Sequence, residues 1–282
     1  MNRIPWNPKK PKICVPIMEK TAQEVLEQAQ QMSSMNIDLV EWRIDAFDQI
    51  KDLSKCIELA LAVKEQLGQM DLLITCRTQK EGGFFEGNKT FYKELYRTIC
   101  TKQAADLIDL EFDWGNDVFE MLLPIAEEHQ IQVIASHHNF DKTPSKEEIL
   151  HKLMVMKESK ADILKMACMP QNKQDVFVLM AATASFKERF PDTVLITMAM
   201  AKEGMPSRIL GEFFGMMGSM GADLFDYDFV RAIIELFRLF GWALFVSGMV
   251  VAVFEIAVEY QSGRGSIKDA CLNAMKGFMA VS

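Results

Sequence analysis

The sequence predicts an α/β chain folded as a (β/α)8 TIM barrel, and three features support this. Short apolar or β-branched runs recur at a regular interval, and amphipathic helical patterns fill the gaps between them. No glycine-rich dinucleotide fingerprint follows the first run, which argues against an open doubly wound sheet. The runs fall at residues 12–18, 38–45, 71–78, 105–112, 132–140, 161–169 and 194–201, so that successive starts lie 26 to 34 residues apart. Each interval has room for one strand and one crossover helix.

Taken in order, the first interval carries Val25, Leu26 and Ala29 and the second carries Ile57, Leu59, Ala60, Val63 and Leu67, the apolar spacing of a helix that buries one face. The second strand reads Val40-Glu41-Trp42-Arg43-Ile44-Asp45. Alternation puts Glu41, Arg43 and Asp45 on one face, and three inward charges are costly unless they pair or bind something polar. The third strand ends Thr75-Cys76-Arg77-Thr78, followed by Glu81-Gly82-Gly83, and the fourth ends Asp109-Leu110-Glu111. Polar groups thus collect at the strand C-termini, where barrel enzymes build their sites. A structural ion-pair network is the plainer reading of the same residues.

The fifth strand supplies Ser136-His137-His138-Asn139-Phe140. Its two histidines alternate in direction, so one faces the barrel, the other is expected to face the helices, and no zinc pair forms. In the sixth strand Lys165 stands among Ile163, Leu164, Met166 and Ala167. An apolar setting near other cations is expected to lower its amine pKa and make it a Schiff-base nucleophile; a snorkelling or ion-paired lysine is the alternative. On the seventh strand Met198 and Met200 share a face and read as packing, and Arg208 on the next loop reads as a carboxylate clamp.

An eighth strand is expected near 219–225, where the pattern changes and closure of the barrel is in question. Domains are therefore read as a barrel over 1–225 and an apolar helical tail over 226–282. Residues 239–254 carry no charge over 16 positions, slightly short of the roughly 20 apolar residues that span a bilayer. Either a buried helix or a membrane or partner contact through 239–258 fits. Composition narrows the function classes: 31 Lys+Arg against 39 Asp+Glu give a net charge of −8, which argues against a nucleic-acid partner. Six scattered cysteines without CxxC pairs and a start without a signal-peptide run point to a reducing cytoplasm.

Together these motifs, with Ala161-Asp162-Ile163-Leu164-Lys165-Met166-Ala167, Ile196-Thr197-Met198-Ala199-Met200 and Pro206-Ser207-Arg208, resemble the type I 3-dehydroquinate dehydratase family of the shikimate pathway. The resemblance covers about residues 12–222. It implies that Lys165 attacks the ketone of 3-dehydroquinate and that His138 removes the α-proton and then protonates the departing hydroxyl, with Glu81 orienting His138. Glu41, Arg43 and Arg77 look like the family's hydroxyl-binding positions and Arg208 like its carboxylate partner, while Asp109, Met198 and Met200 count among the substrate-binding positions. It implies no metal and no cofactor, a small-molecule substrate and, as a further reading, a homodimer. The chain departs from the family after about Ala222: the usual Ser-Ala-Pro-Gly-Gln type loop has no counterpart, with Tyr227 and Arg231 near where its Ser and Gln would fall. The tail from Phe237 looks more like an integral membrane protein of a conjugative element. Two alternatives stand beside the dehydratase: a degenerate, weakly active barrel with a membrane- or partner-binding tail, and a metal-dependent barrel lyase or aldolase using Glu41, Asp109 and His138.

Overall fold

The computed structural model describes residues 12–205 and 207, all within the first of the two units into which the chain divides, Met1–Gly221. Arg208, the eighth-strand region 219–225, Tyr227, Arg231 and the tail 226–282 with its apolar run lie outside the described residues.

Seven strands alternate with six helices in the described part: β1 (Cys14–Ile17), α1 (Ala22–Ser33), β2 (Leu39–Arg43), α2 (Leu53–Leu67), β3 (Asp71–Thr75), α3 (Lys89–Thr101), β4 (Leu107–Glu111), α4 (Asn116–Glu128), β5 (Gln132–Asn139), α5 (Lys146–Glu158), β6 (Ile163–Cys168), α6 (Lys173–Arg189) and β7 (Val194–Ala199). The strands form one parallel sheet in chain order, β1 to β7, as expected when each strand is joined to the next by a helix packed on one face. Each sequence-predicted run contains its strand, shortened at the ends.

Local sequence explains where the helices begin. Thr21 with Glu24 and Ser145 with Glu148 form capping boxes at α1 and α5, while Asp52, Asn88 and Asn172 cap α2, α3 and α6. Each cap satisfies backbone N–H groups that have no partner inside the helix. Val25 and Ala29 in α1, and Ile57, Leu59, Ala60, Val63 and Leu67 in α2, are buried.

Three aspartates pin the register at the opposite end of the sheet from the polar cluster. Asp38, Asp106 and Asp162, each one residue before an even-numbered strand, accept the backbone N–H of Ile13, just before β1, and of Leu72 and Val133 on β3 and β5, at 2.7, 3.0 and 2.9 Å. A one-residue slip would break all three bonds and turn every side chain to the other face.

Strand alternation then stacks the interior in layers. Cys14, Leu39, Leu73, Leu107, Ile134, Ile163 and Ile196 form an apolar floor. Two residues further along the same strands stand Glu41, Thr75, Asp109, Ser136, Lys165 and Met198, and two residues beyond those stand Arg43, Glu111, His138 and Ala167 on their strands, with Arg77 and Met200 just past the ends of β3 and β7. The sheet thus has an apolar floor under a polar C-terminal end, the end at which parallel α/β proteins carry their sites.

Candidate active site

The polar layer is organised by Arg77, which is 3% exposed. Its Nη1 donates to Glu81 Oε2 and Glu111 Oε1, both at 3.2 Å, and to Ser136 Oγ at 2.9 Å, while Nη2 donates to Asp109 Oδ2 at 2.9 Å. One guanidinium therefore answers three buried carboxylates, and burial of such charges is tolerable only with pairing of this kind. Glu111 also accepts from the backbone N–H and hydroxyl of Thr78, both at 2.7 Å.

Lys165 lies on β6, opposite Ser136 in the parallel register. Its Nζ donates to Asp109 Oδ2 at 3.1 Å and stands 3.6 Å from Glu41 Oε1. Burial alone would pull the amine down, but the carboxylates of Glu41 and Asp109 outweigh it and hold the ammonium above its ordinary range. This corrects the expectation of a lowered amine: β6 itself offers no carboxylate, and the two that matter arrive from β2 and β4. Asp109 resists its own burial because Arg77 and Lys165 hold it well below the usual carboxylate range, and the hydroxyl of Ser136 also donates to it.

His138 Nδ1 lies 2.9 Å from Glu81 Oε2. With Nδ1 engaged by a carboxyl group, Nε2 is left as the ring nitrogen able to exchange a proton with a bound molecule. Burial, followed by the nearby Arg77 and Lys165 cations, pushes the imidazole well below its ordinary value, so the ring is neutral. Burial and Glu111 raise Glu81 to about 8 against the pull of Arg77. The backbone that presents Glu81 depends on two glycines. Gly82 has φ +77°, and a Cβ there would run into the Phe140 ring; a Cβ on Gly83 would come within 2.1 Å of the Arg77 carbonyl oxygen.

The remaining predicted positions divide. Arg43 is tied to Asp45 through two parallel bonds of 2.9 and 2.8 Å, and Asp45 also accepts the Phe84 backbone N–H at 3.0 Å. Met198 packs on the apolar floor and Met200 is half-buried. His137 differs from its expected place: it does not simply face the helices, because its Nδ1 reaches to 3.4 Å from Asp113 Oδ1 and 3.8 Å from Glu81 Oε1. The reason is the short helical turn that follows β4, which carries Asp113 across the end of β5.

Sequence reasoning gave no role to Tyr92, Tyr96, Thr75, Ser136 or Asp113. Tyr96 donates its hydroxyl to the Asp109 carbonyl at 2.6 Å and accepts the Cys76 N–H at 2.8 Å, bridging β3 and β4 where their direct pairing stops. Tyr92 accepts the Glu111 N–H at 3.0 Å. Thr75 donates to Glu41 at 2.7 Å. Strand parity could have found Thr75 and Ser136, which share the layer of Lys165; the tyrosines carry no such signal.

Comparison with known proteins bears on this arrangement. Residues 13–223 match the family described as Type I 3-dehydroquinase. The chain belongs to the type I 3-dehydroquinase family. Among its relatives, the 3-dehydroquinate dehydratase of Listeria welshimeri is 41% identical over 214 residues, which is 75% of this chain and 84% of the relative; that of Enterococcus faecalis is 39% identical over 212 residues, with the same coverage. The solved structure of the E. faecalis 3-dehydroquinate dehydratase superposes with a TM-score of 0.75 at 37% identity, over 80% of this chain and 94% of that one. A Clostridium difficile type I 3-dehydroquinate dehydratase with covalently modified comenic acid gives 0.73 at 36% identity, over 74% and 82%. Family membership accounts for residues up to about 223. Residues 188–282 match a second family, conjugal transfer protein TrbL, and the two matches share residues 188–223. Among the described residues no helix is long and apolar enough to cross a membrane.

Proposed function

We propose that this chain is a hydro-lyase that dehydrates 3-dehydroquinate to 3-dehydroshikimate through an imine on Lys165. The observation that carries the reading is the placement of His138 and Lys165 on one face of the adjacent strands β5 and β6, with Glu81 from the turn after β3 against His138, in a chain of the dehydratase family. Lys165, once deprotonated, attacks the substrate ketone, and loss of water leaves an iminium. That cation is the electron sink for the carbanion formed when neutral His138 takes the α-proton. The imidazolium returns the proton to the departing hydroxyl, which leaves as water, and hydrolysis of the imine releases the enone and restores the amine. Glu81 holds the Nδ1–H side of the ring throughout. Asp109 and Glu41 hold the ammonium in the free enzyme, so substrate binding has to draw its proton away before attack. Glu41, Arg43 and Arg77 are proposed to meet the substrate hydroxyls, Met198 and Met200 to line its apolar side, and Arg208 to fork onto its carboxylate.

We also propose a barrel closed by an eighth strand near 219–225, with 226–282 as a separate apolar tail. Acting in the cytoplasm, as a homodimer, and attachment through 239–258 are the further readings to test by fractionation and solution mass.

A metal-dependent lyase is the competing mechanism. Against it, Asp109 is already held by Arg77, Lys165 and Ser136. The deciding assay follows the ultraviolet absorbance of the conjugated enone with the full chain, with and without chelator. Enone formation that persists in chelator and disappears in Lys165→Ala supports the imine route; loss on chelation, or full activity in Lys165→Ala, would overturn it.

A further inference from the structure

Beside the Glu81–His138 pair lies a cluster that dehydration does not use. Glu81 is 2% exposed, and its Oε2 is taken by Arg77 and His138, yet its Oε1 has no hydrogen-bond partner. His137 Nδ1 has none either. The two unpartnered atoms stand 3.8 Å apart, and Asp113 Oδ1 is 3.4 Å from the same nitrogen. Neither spacing makes a good hydrogen bond. Ligand atoms about 2.0–2.2 Å from a tetrahedral zinc ion stand roughly 3.3–3.6 Å from one another. Ligand atoms of Glu81, Asp113 and His137 all lie within 4.8 Å of each other.

We propose that His137 Nδ1, Glu81 Oε1 and an oxygen of Asp113 bind a divalent transition-metal ion of the zinc type, with water completing the shell. One imidazole and two carboxylates suit such an ion. The site uses only atoms that the dehydration machinery leaves free: Glu81 keeps Oε2 on His138 and Arg77. Lys152 at 2.9 Å and Lys80 at 3.4 Å oppose the ion across Asp113; the Lys80 side chain is 75% exposed and free to turn to solvent, whereas Lys152, 29% exposed and over the Phe112 ring, stays beside Asp113 and limits the affinity. The ion would have to displace the proton that burial favours on Glu81, and it would set a positive centre beside the general base. Resting on the dehydratase reading, its effect is inhibition, so the metal acts as a brake and not as a cofactor.

The site is tested apart from the activity. Metal-stripped full-length protein is titrated with Zn2+ by calorimetry and with Co2+ by visible absorption, which is intense for a four-coordinate ion. One Zn2+ per chain is expected here, and His137→Ala and Asp113→Asn should each weaken binding at least about tenfold, a loss typical even of outer-shell partners. Binding unchanged in both variants, or no binding by the wild type, would overturn the site. Zn2+ should inhibit the wild type and require at least about tenfold more to inhibit His137→Ala. Equal inhibition of both would overturn the brake, whereas inactivity of the metal-stripped wild type would instead count against the dehydratase reading.

Discussion

Asp109 Oδ2 lies 3.1 Å from Lys165 Nζ, so the proposed nucleophile is an ammonium ion in the free enzyme. Because the folded-state pKa is raised, the pairing is fully present below the ordinary lysine value near 10.4 and is lost as pH rises through the folded value. Acylation of Lys165 by an amine-directed reagent, followed by peptide mass, should therefore have its midpoint above that of an exposed lysine. Glu41→Gln removes one of the two carboxylates and should lower the midpoint. A midpoint unmoved by Glu41→Gln would contradict the electrostatic origin of the shift.

His138→Ala should slow turnover by about two to four orders of magnitude, the usual contribution of a general acid–base, while borohydride trapping on Lys165 continues. His137→Ala, assayed free of metal, should lose far less, since the proposed proton transfers pass through His138. Comparable losses from the two substitutions would mean that the wrong histidine has been given the base role.

Arg77 is the hub on which three buried carboxylates rely. Arg77→Met should destabilise the fold by about 3–5 kcal/mol, the effect of leaving buried charge uncompensated, and Arg77→Lys should recover only part of this because an ammonium cannot reproduce the fork. Urea unfolding measures both. A change under about 1 kcal/mol in Arg77→Met would indicate that the carboxylates neutralise themselves without it.

Tyr96→Phe removes one hydroxyl and strands two backbone groups, the Cys76 N–H and the Asp109 carbonyl. A loss of about 1–3 kcal/mol is expected for buried groups left without a partner, with faster amide exchange at Cys76. An unchanged unfolding midpoint would mean that another donor replaces the hydroxyl.

The choice of His138 over His137 came from the family resemblance, whereas the strand rhythm, the inward parity of Glu41 and the gathering of polar groups at strand ends were legible because each is a local pattern with a period of two or about thirty. The charge state of Lys165 was not, because its two carboxylates come from strands that are 56 and 124 residues away in the chain. His137 was misread for a related reason. Alternation describes a residue within a strand, whereas His137 sits near the end of β5, where the turn bearing Asp113 from β4 reaches over it. Tyr92 and Tyr96 carry no sequence signal of their role, because only the fold brings their hydroxyls to the backbone of Cys76, Asp109 and Glu111.

Borohydride reduction in the presence of 3-dehydroquinate tests the imine most directly. Mass spectrometry of the digested full chain should find the added substrate mass, as a stable secondary amine, on the peptide carrying Lys165 and on no peptide of Lys165→Ala. Labelling that persists in Lys165→Ala, or that falls on a different lysine in the wild type, would contradict the assignment of Lys165 as nucleophile.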